Sequence, residues 1–447
     1  MKNTKKIIAV LVAVILAVAG VFVACSKGGE TAENTVKGES AEIIAREEIK
    51  SDVEIPADFK IGLICLHDEN STYDKNFIDG LKAAAKGMGL TDEQVIIVTN
   101  IDENDACYNT AVDLAKNKGC KVVFADSFGH ESHMMRAAKE FPDVEFCHAT
   151  GTAAKGAGLA NYHNAFAAIY EGRYIAGVAA GIKLNDMIKE GKITAEQAVI
   201  GYVGAFTYAE VVSGLTSFYL GAKSVCPSAT MKVRYTGSWY DQAKEQEAAT
   251  ALIEKDNCVL ISQHADSLGA PTACELAGVP NVSYNGSTYS AGKNTFIVSS
   301  AINWAPYFQH IIENTIKGEA IEANWCGTIA TNSVVISGIN QDVVDGESTI
   351  AELNKVIDQF KAGTLHVYDT STFTVTVDKK NGINANAEVD ADGHLTKYMA
   401  DIDGDFKGDT NVVHDGYFDE SGNEFRSAPY FDLVIDGITN INTNFGD

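Results

Sequence analysis

Seven short stretches of this sequence end in side chains that could grip a flat solute with polar edges. They close on His67, Asp68, Glu69 and Tyr73; Asp126, Ser127 and Phe128; Phe206 and Tyr208; Ser238, Trp239 and Tyr240; His264 and Asp266; Asn285 and Ser287; and Asn303 and Trp304. Aromatic faces stack on a planar ring, while hydroxyls, amides and carboxylates pair with groups around its edge. The same set holds one acid–base pair, His264 and Asp266, that an extracellular enzyme could use. Neither a nucleophile nor a firm metal site accompanies that pair, so capture without chemistry is the leading expectation, with no cofactor and no metal.

Each group follows an apolar run of strand character. KIGLICL (60–66), QVIIVTN, KVVFADS and VEFCHATG alternate with helical patterns, the clearest being Phe77, Ile78, Leu81, Ala84, Ala85 and Met88. The scheme restarts at VIGYVGAF (199–206) and runs through MKVRYTG, CVLISQ, VPNVSYNG and FIVSSAI. Near-continuous apolar strands separated by helices define parallel sheets covered on both faces, here two consecutive Rossmann-like lobes. A long helix is predicted over 164–191, leading from one lobe into the other. In such sheets ligands bind beyond the carboxyl ends of the strands, which is where the candidates fall. From Asp378 the chain holds 15 acidic and 5 basic residues with many Gly and Asn, so 378–447 reads as a small acidic β-rich C-terminal appendage.

Several motifs fail on inspection. Gly286 to Asn294 has the wrong spacing and the wrong last residue for a phosphate-binding loop. His130 and His133 share a helical face but read as a solvated or loop-packing pair. Asp401, Asp403, Asp405 and Asp409 begin like a calcium loop, yet Gly is missing at the sixth position and Val412 replaces the bidentate Glu.

The N-terminus sets the compartment. Lys2, Lys5 and Lys6 precede an uncharged apolar run from Ile7 to Ala24, the pattern of a secretory signal over 1–24. Phe22-Val23-Ala24-Cys25 resembles a bacterial lipobox, which implies cleavage before Cys25 and diacylglycerol on its thiol. Residues 25–57 then read as the lipidated cysteine and a flexible tether, holding the protein on the extracytoplasmic face of the cell membrane. The remaining eight cysteines include no C-x-x-C pair, and buried free thiols are expected. A net charge of −25 disfavours nucleic acid and anionic lipid as partners, so the membrane is reached through the lipid alone.

VVFADSFGHESHMMRAAKEFPDVEFCHATG, NYHNAFAAIYEGRYIAGVAAG, IGYVGAFTYAEVVSGL, GSWYDQAKEQEAATALI, SQHADS and INWAPYF together resemble the basic membrane protein family of substrate-binding lipoproteins, over roughly residues 60–377. The resemblance implies a type I periplasmic-binding-protein fold, with two lobes joined by three crossing strands at a hinge. Lobe 1 is expected over 58–165, rejoined by about 300–330, and lobe 2 over 166–299, rejoined by about 331–377. It also implies a monomer that captures a purine nucleoside or nucleobase and delivers it to an ABC transporter permease. A ligand-reading accessory of a membrane sensor would need the same cleft. Within the family's pattern, Tyr73 and Phe77 compete for the first stacking role, and Phe128 and Phe206 occupy further pocket positions. Asn285 replaces an Asp that commonly holds ribose hydroxyls and Ile302 replaces a Lys that often does, which moves the expectation from nucleoside toward free base. The ligand set implied is Tyr73, Phe77, Ser127, Phe128, Phe206, Trp239, Asp266, Asn285 and Trp304.

Overall fold

The computed structural model describes residues 37–420 and 426–443. The predicted signal segment, Cys25 and residues 26–36 lie outside the described residues. In the first lobe, strands β1 (Ile61–Ile64), β2 (Val95–Val98), β3 (Val122–Ala125), β4 (Glu145–Ala149) and β5 (Tyr162–Ala167) form a parallel sheet. The second lobe begins with β6 (Val199–Gly204), β7 (Thr230–Tyr235), β8 (Leu260–Gln263), β9 (Asn281–Tyr284) and β10 (Phe296–Ile302). Two later strands are divided between the lobes. β11 (Asn324–Gly327) completes the first sheet in the order β11-β5-β4-β3-β1-β2, and β12 (Val334–Ile336) lies antiparallel on β10. The chain therefore crosses between the sheets after β5, after β10 and after β11.

Local sequence explains the elements that face the cleft. Helix Thr72–Met88 starts at Ser71, whose hydroxyl accepts from Asp74 N, and stops at Gly89 with φ +79°, a left-handed conformation that glycine adopts without a Cβ clash. Its buried face carries Phe77, Ile78, Leu81, Ala84, Ala85 and Met88, as the spacing predicts. The long helix differs from expectation: residues 162–167 are strand β5 and the helix spans Ile169–Lys189. All six β5 residues are buried because the strand lies between β4 and β11, so no alternation marked it. Helices Ile169–Lys189 and Ala209–Val225 pack backbone to backbone through glycine; a Cβ on Gly177 would lie 2.0 Å from the Phe218 carbonyl oxygen.

Two segments are more deeply tied in than their composition foretold. Residues 37–55, read as part of a tether, lie against the body. Glu39 bridges to Asn340 beyond β12 and Ile44 to Ile336 in β12, and Arg46 Nη2 donates to Asn76 Oδ1 at 3.1 Å. Ile49 packs over Gly87, and Gln309 donates to the Lys50 carbonyl at 2.9 Å. The reason is apolar: Ile44 and Ile49 are both buried in the core that runs through the two lobes.

The tail is likewise joined to that core. β13 (Tyr368–Asp369) pairs with β17 (Tyr417–Phe418), and Tyr368 stacks on Phe418 and Phe431 at 4.8 Å each. Strands β14 (Ala387–Val389), β15 (Leu395–Ala400) and β16 (Thr410–Asn411) form a small separate sheet. β18 (Ile438–Asn440) adds to the second sheet as a parallel strand beside β7. Buried Glu420 fixes the tail on helix Ala209–Val225: it accepts from Ser213 Oγ, and from Tyr430 N and Phe431 N at 2.8 and 2.6 Å.

Candidate functional site

The carboxyl ends of the strands face one another across a small cavity between the lobes. The first lobe contributes Leu66, His67, Tyr73, Asp74, Ser127, Phe128 and Thr150; the second contributes Glu210, Trp239, His264, Asp266, Tyr284 and Asn285. The lobes meet around it. Thr72 donates through its N and Oγ1 to the Asp266 carbonyl at 3.0 and 3.1 Å, and Asn76 Nδ2 donates to the Asn285 carbonyl at 2.7 Å. Phe128 stacks on Tyr208 at 5.1 Å, Tyr208 on Phe206 at 5.1 Å, and Phe206 meets Trp239 edge-on at 4.9 Å. A continuous belt of rings thus joins one lobe to the other beside the cavity.

Of the nine residues implied by sequence, Tyr73, Ser127, Phe128, Trp239, Asp266 and Asn285 line this space. Between the two contenders for the first stacking position, Tyr73 is at the cavity and directs its hydroxyl to the Asp126 carbonyl at 2.8 Å. Phe77 is fully buried one helical turn below, stacked on Trp304 at 4.3 Å, and Trp304 is only 1 % exposed. Both are core residues: the buried face of helix Thr72–Met88 points Phe77 at Phe124 of β3 and at Trp304, which caps the start of helix Ala305–Lys317. Phe206 stands behind Trp239 as part of the ring belt. Ile302 is buried in β10. Glu210, Tyr284 and Thr150 were missed. Glu210 opens a helix after β6, Tyr284 is the last residue of β9 and Thr150 follows β4, so closer attention to strand ends would have found them.

The backbone is strained at this site. Thr150 and Asn285 have φ +64° and +63°, and a β-branched residue rarely tolerates that region. Asn285 uses its turn to aim Nδ2 at Asp266 Oδ1, 3.1 Å away.

Electrostatically the cavity is acidic, with no lining Lys or Arg among the described residues. Burial, with Glu245 and Asp74 nearby, pushes the Asp266 carboxyl well above the ordinary carboxylate range. His264 is pushed below its usual range by burial, against the pull of Glu210, whose Oε1 is 3.5 Å from His264 Nε2. Burial works to raise Asp74 too, yet hydrogen bonds from His67 and Ser71 hold its carboxyl below the usual value. Behind Tyr284 lies the fully buried Arg173, its guanidinium 4.9 Å from the ring centre and donating to Tyr202 Oη at 2.9 Å.

Beneath the floor, Asp126 is fully buried and one carboxyl oxygen, Oδ2, has no hydrogen-bond partner. Burial and then the neighbouring Asp74 push this carboxyl well above its ordinary range. Asp126 therefore keeps its proton in the folded chain at pH values where the unfolded chain has released it, and subtracts stability as pH rises above the unfolded pKa. The uncharged isostere removes that dependence. Asp126→Asn is expected to gain stability relative to wild type on going from pH 5 to pH 8, read from urea midpoints; a variant that loses ground at pH 8 contradicts this assignment.

Two clusters have metal-type side chains. Cys65, Asp74 and Asp126 bring ligand atoms within 4.8 Å of one another, but burial raises both the Cys65 thiol and Asp126, which keeps protons where a metal would need bare ligands. Asp401, Asp403 and Asp405 cluster similarly, with Arg426 already 3.1 Å from Asp401 and Lys407 paired to Asp405. His130 and His133 diverge: His130 is buried and donates to the Ile101 carbonyl at 2.9 Å, whereas His133 faces Asp105. The eight described cysteines are free, all buried except the half-buried Cys326.

Two parallel α/β lobes, three crossings and an interlobe cavity define a solute-binding protein of the type I periplasmic fold. Residues 64–359 match the family model described as ABC transporter substrate-binding protein PnrA-like, or Bmp, and the chain belongs to that family, whose members work outside the cytoplasm. A putative ABC transporter glucose-binding protein of Haloferax volcanii is 35% identical over 207 residues, 46% of this chain and 49% of the relative. A purine-binding protein of Brucella abortus is 35% identical over 213 residues, 47% of this chain and 55% of the relative. The chain thus spans about half the length of these curated relatives. A solved ABC transporter solute-binding protein from Conexibacter woesei shares the fold, with TM-score 0.54 and 21% identity over 69% of this chain and 98% of that one. Among the described residues no helix is long and apolar enough to cross a membrane.

Proposed function

We propose that this chain is a lipid-anchored, extracytoplasmic capture protein for a purine base or nucleoside, which it hands as a monomer to an ABC permease. The observation that carries the reading is the pairing of ring faces (Tyr73, Phe128, Trp239, Tyr284) with polar edges (Asp266, Asn285, Glu210) around one small cavity. Stacking suits a flat heterocycle, and the polar groups suit its rim. The purine-binding relative supports this reading, and the lipobox at Cys25 supports the anchor. Glucose is the competing solute, favoured by the equally similar archaeal glucose-binding relative.

A thermal-shift panel separates the two. A ligand that binds only the folded state adds about 2.7 kcal/mol at a hundredfold excess over Kd. Purine bases or nucleosides are expected to raise the melting midpoint by several degrees, with glucose inert. A shift with glucose and none with adenine, guanine, hypoxanthine, xanthine or their nucleosides overturns the reading.

A further inference from the structure

We propose that Glu210 reads a pair of adjacent N–H donors, so that the solute of this cavity is a guanine-type ring rather than adenine, a purely oxo-substituted purine or an anion. The inference rests on the purine reading and adds the edge that is recognised.

Four observations point to this edge. Glu210 lies in the first turn of helix Ala209–Val225 and lines the cavity. Its contact with His264 Nε2, at 3.5 Å, lies at the limit of hydrogen-bond length and occupies at most one of about four lone-pair sites on a carboxylate. The second acid on the same wall is differently placed: Asp266 Oδ1 already accepts from Asn285. Beside Glu210, the buried Tyr284 hydroxyl has no hydrogen-bond partner among the described residues, so a built polar group awaits an occupant.

The chemistry of the edge follows. Two carboxylate oxygens in one plane match two parallel donors, and guanine offers N1–H beside its exocyclic amine. Hypoxanthine keeps N1–H but lacks the amine. Xanthine flanks N1–H with two carbonyls, which face the carboxylate lone pair to lone pair. Adenine sets an acceptor, N1, beside its amine and meets the same repulsion. Phosphates and organic acids find no lining Lys or Arg among the described residues to neutralise them.

Fluorescence titration of the full-length protein, using Trp239 at the cavity as reporter, tests this with guanine, hypoxanthine, xanthine and adenine and with their nucleosides. Guanine or guanosine is expected to bind about 10–100-fold more tightly than its hypoxanthine counterpart, the scale of one charge-assisted hydrogen bond. In Glu210→Gln, which has nearly the same shape, guanine is expected to lose about that factor while hypoxanthine changes less than about threefold, because an amide still offers one acceptor to N1–H. Purines that bind with adenine or xanthine first, or a Glu210→Gln variant that weakens all of them equally, overturn the inference and leave the purine reading intact. No binding by any purine overturns both. If the variant does not fold, the wild-type ranking alone still decides.

Discussion

Trp239→Ala weakens every purine by a similar factor, about 5- to 150-fold, because each base loses the same ring face and base–aromatic stacking contributes about 1–3 kcal/mol. Trp239 lines the cavity directly, whereas Phe206 packs edge-on against Trp239 at 4.9 Å and is not among the lining residues. Phe206→Ala should therefore act indirectly, by loosening the ring it supports. Calorimetric titration of four purines against Trp239→Ala checks the expectation. A changed ranking would mean that the indole nitrogen reads an edge; an unchanged affinity would place the base elsewhere in the cleft.

Removing residues 37–57 should cost about 3–6 kcal/mol, from two buried isoleucines at about 1.5–3 kcal/mol each. Ile44 and Ile49 are each 8 % exposed, and they lie on different lobes. The first is bridged to Ile336 in β12, and the second covers Gly87, where a Cβ would lie 2.2 Å from the Ile49 carbonyl oxygen. Between them Arg46 holds Asn76, the residue that donates across the cleft to the Asn285 carbonyl. The segment is thus a fourth link between lobes that are already joined by three crossings. A protein begun at residue 58 is expected to show a lower urea midpoint and faster purine release in stopped-flow experiments. Ile44→Ala with Ile49→Ala in the full chain should reproduce both effects in part. Equal midpoints for the two lengths would show that the segment merely rests on the surface.

Sequence reading recovered the doubly wound lobes because strands such as β1, β3, β6 and β8 are apolar runs each followed by a helix, whereas it absorbed β5 into the helix after it. It recovered six cavity residues because strand ends are where this architecture leaves side chains uncovered. It set Phe77 and Trp304 among the ligand residues because a ring's residue type does not say whether it faces the cavity or the core; here the two meet in a stack 4.3 Å apart and neither lines the cavity. It overlooked Glu210 because a lone glutamate opening a helix reads as dipole compensation. The tail resisted for a different reason. Strands such as Tyr368–Asp369 and Tyr417–Phe418 are two residues long, too short for any period to show. The strap at 37–55 resisted because two isoleucines in a charged stretch look incidental until their pockets are visible.

The pairing of β18 with β7 has a consequence for how the molecule comes into being. Tyr235 and Asn442, hydrogen-bonded at that junction, are 207 residues apart in the chain. During synthesis the outer edge of β7 therefore emerges long before its partner and presents a row of unsatisfied N–H and C=O groups. Contacts of such separation form slowly, because the intervening loop must close before they are rewarded. The second lobe is thus the late-maturing half of the protein. Strand β18 acts as a latch that closes only after residue 440 has been made, and for that interval the exposed edge of β7 is the place where newly made copies can pair with one another.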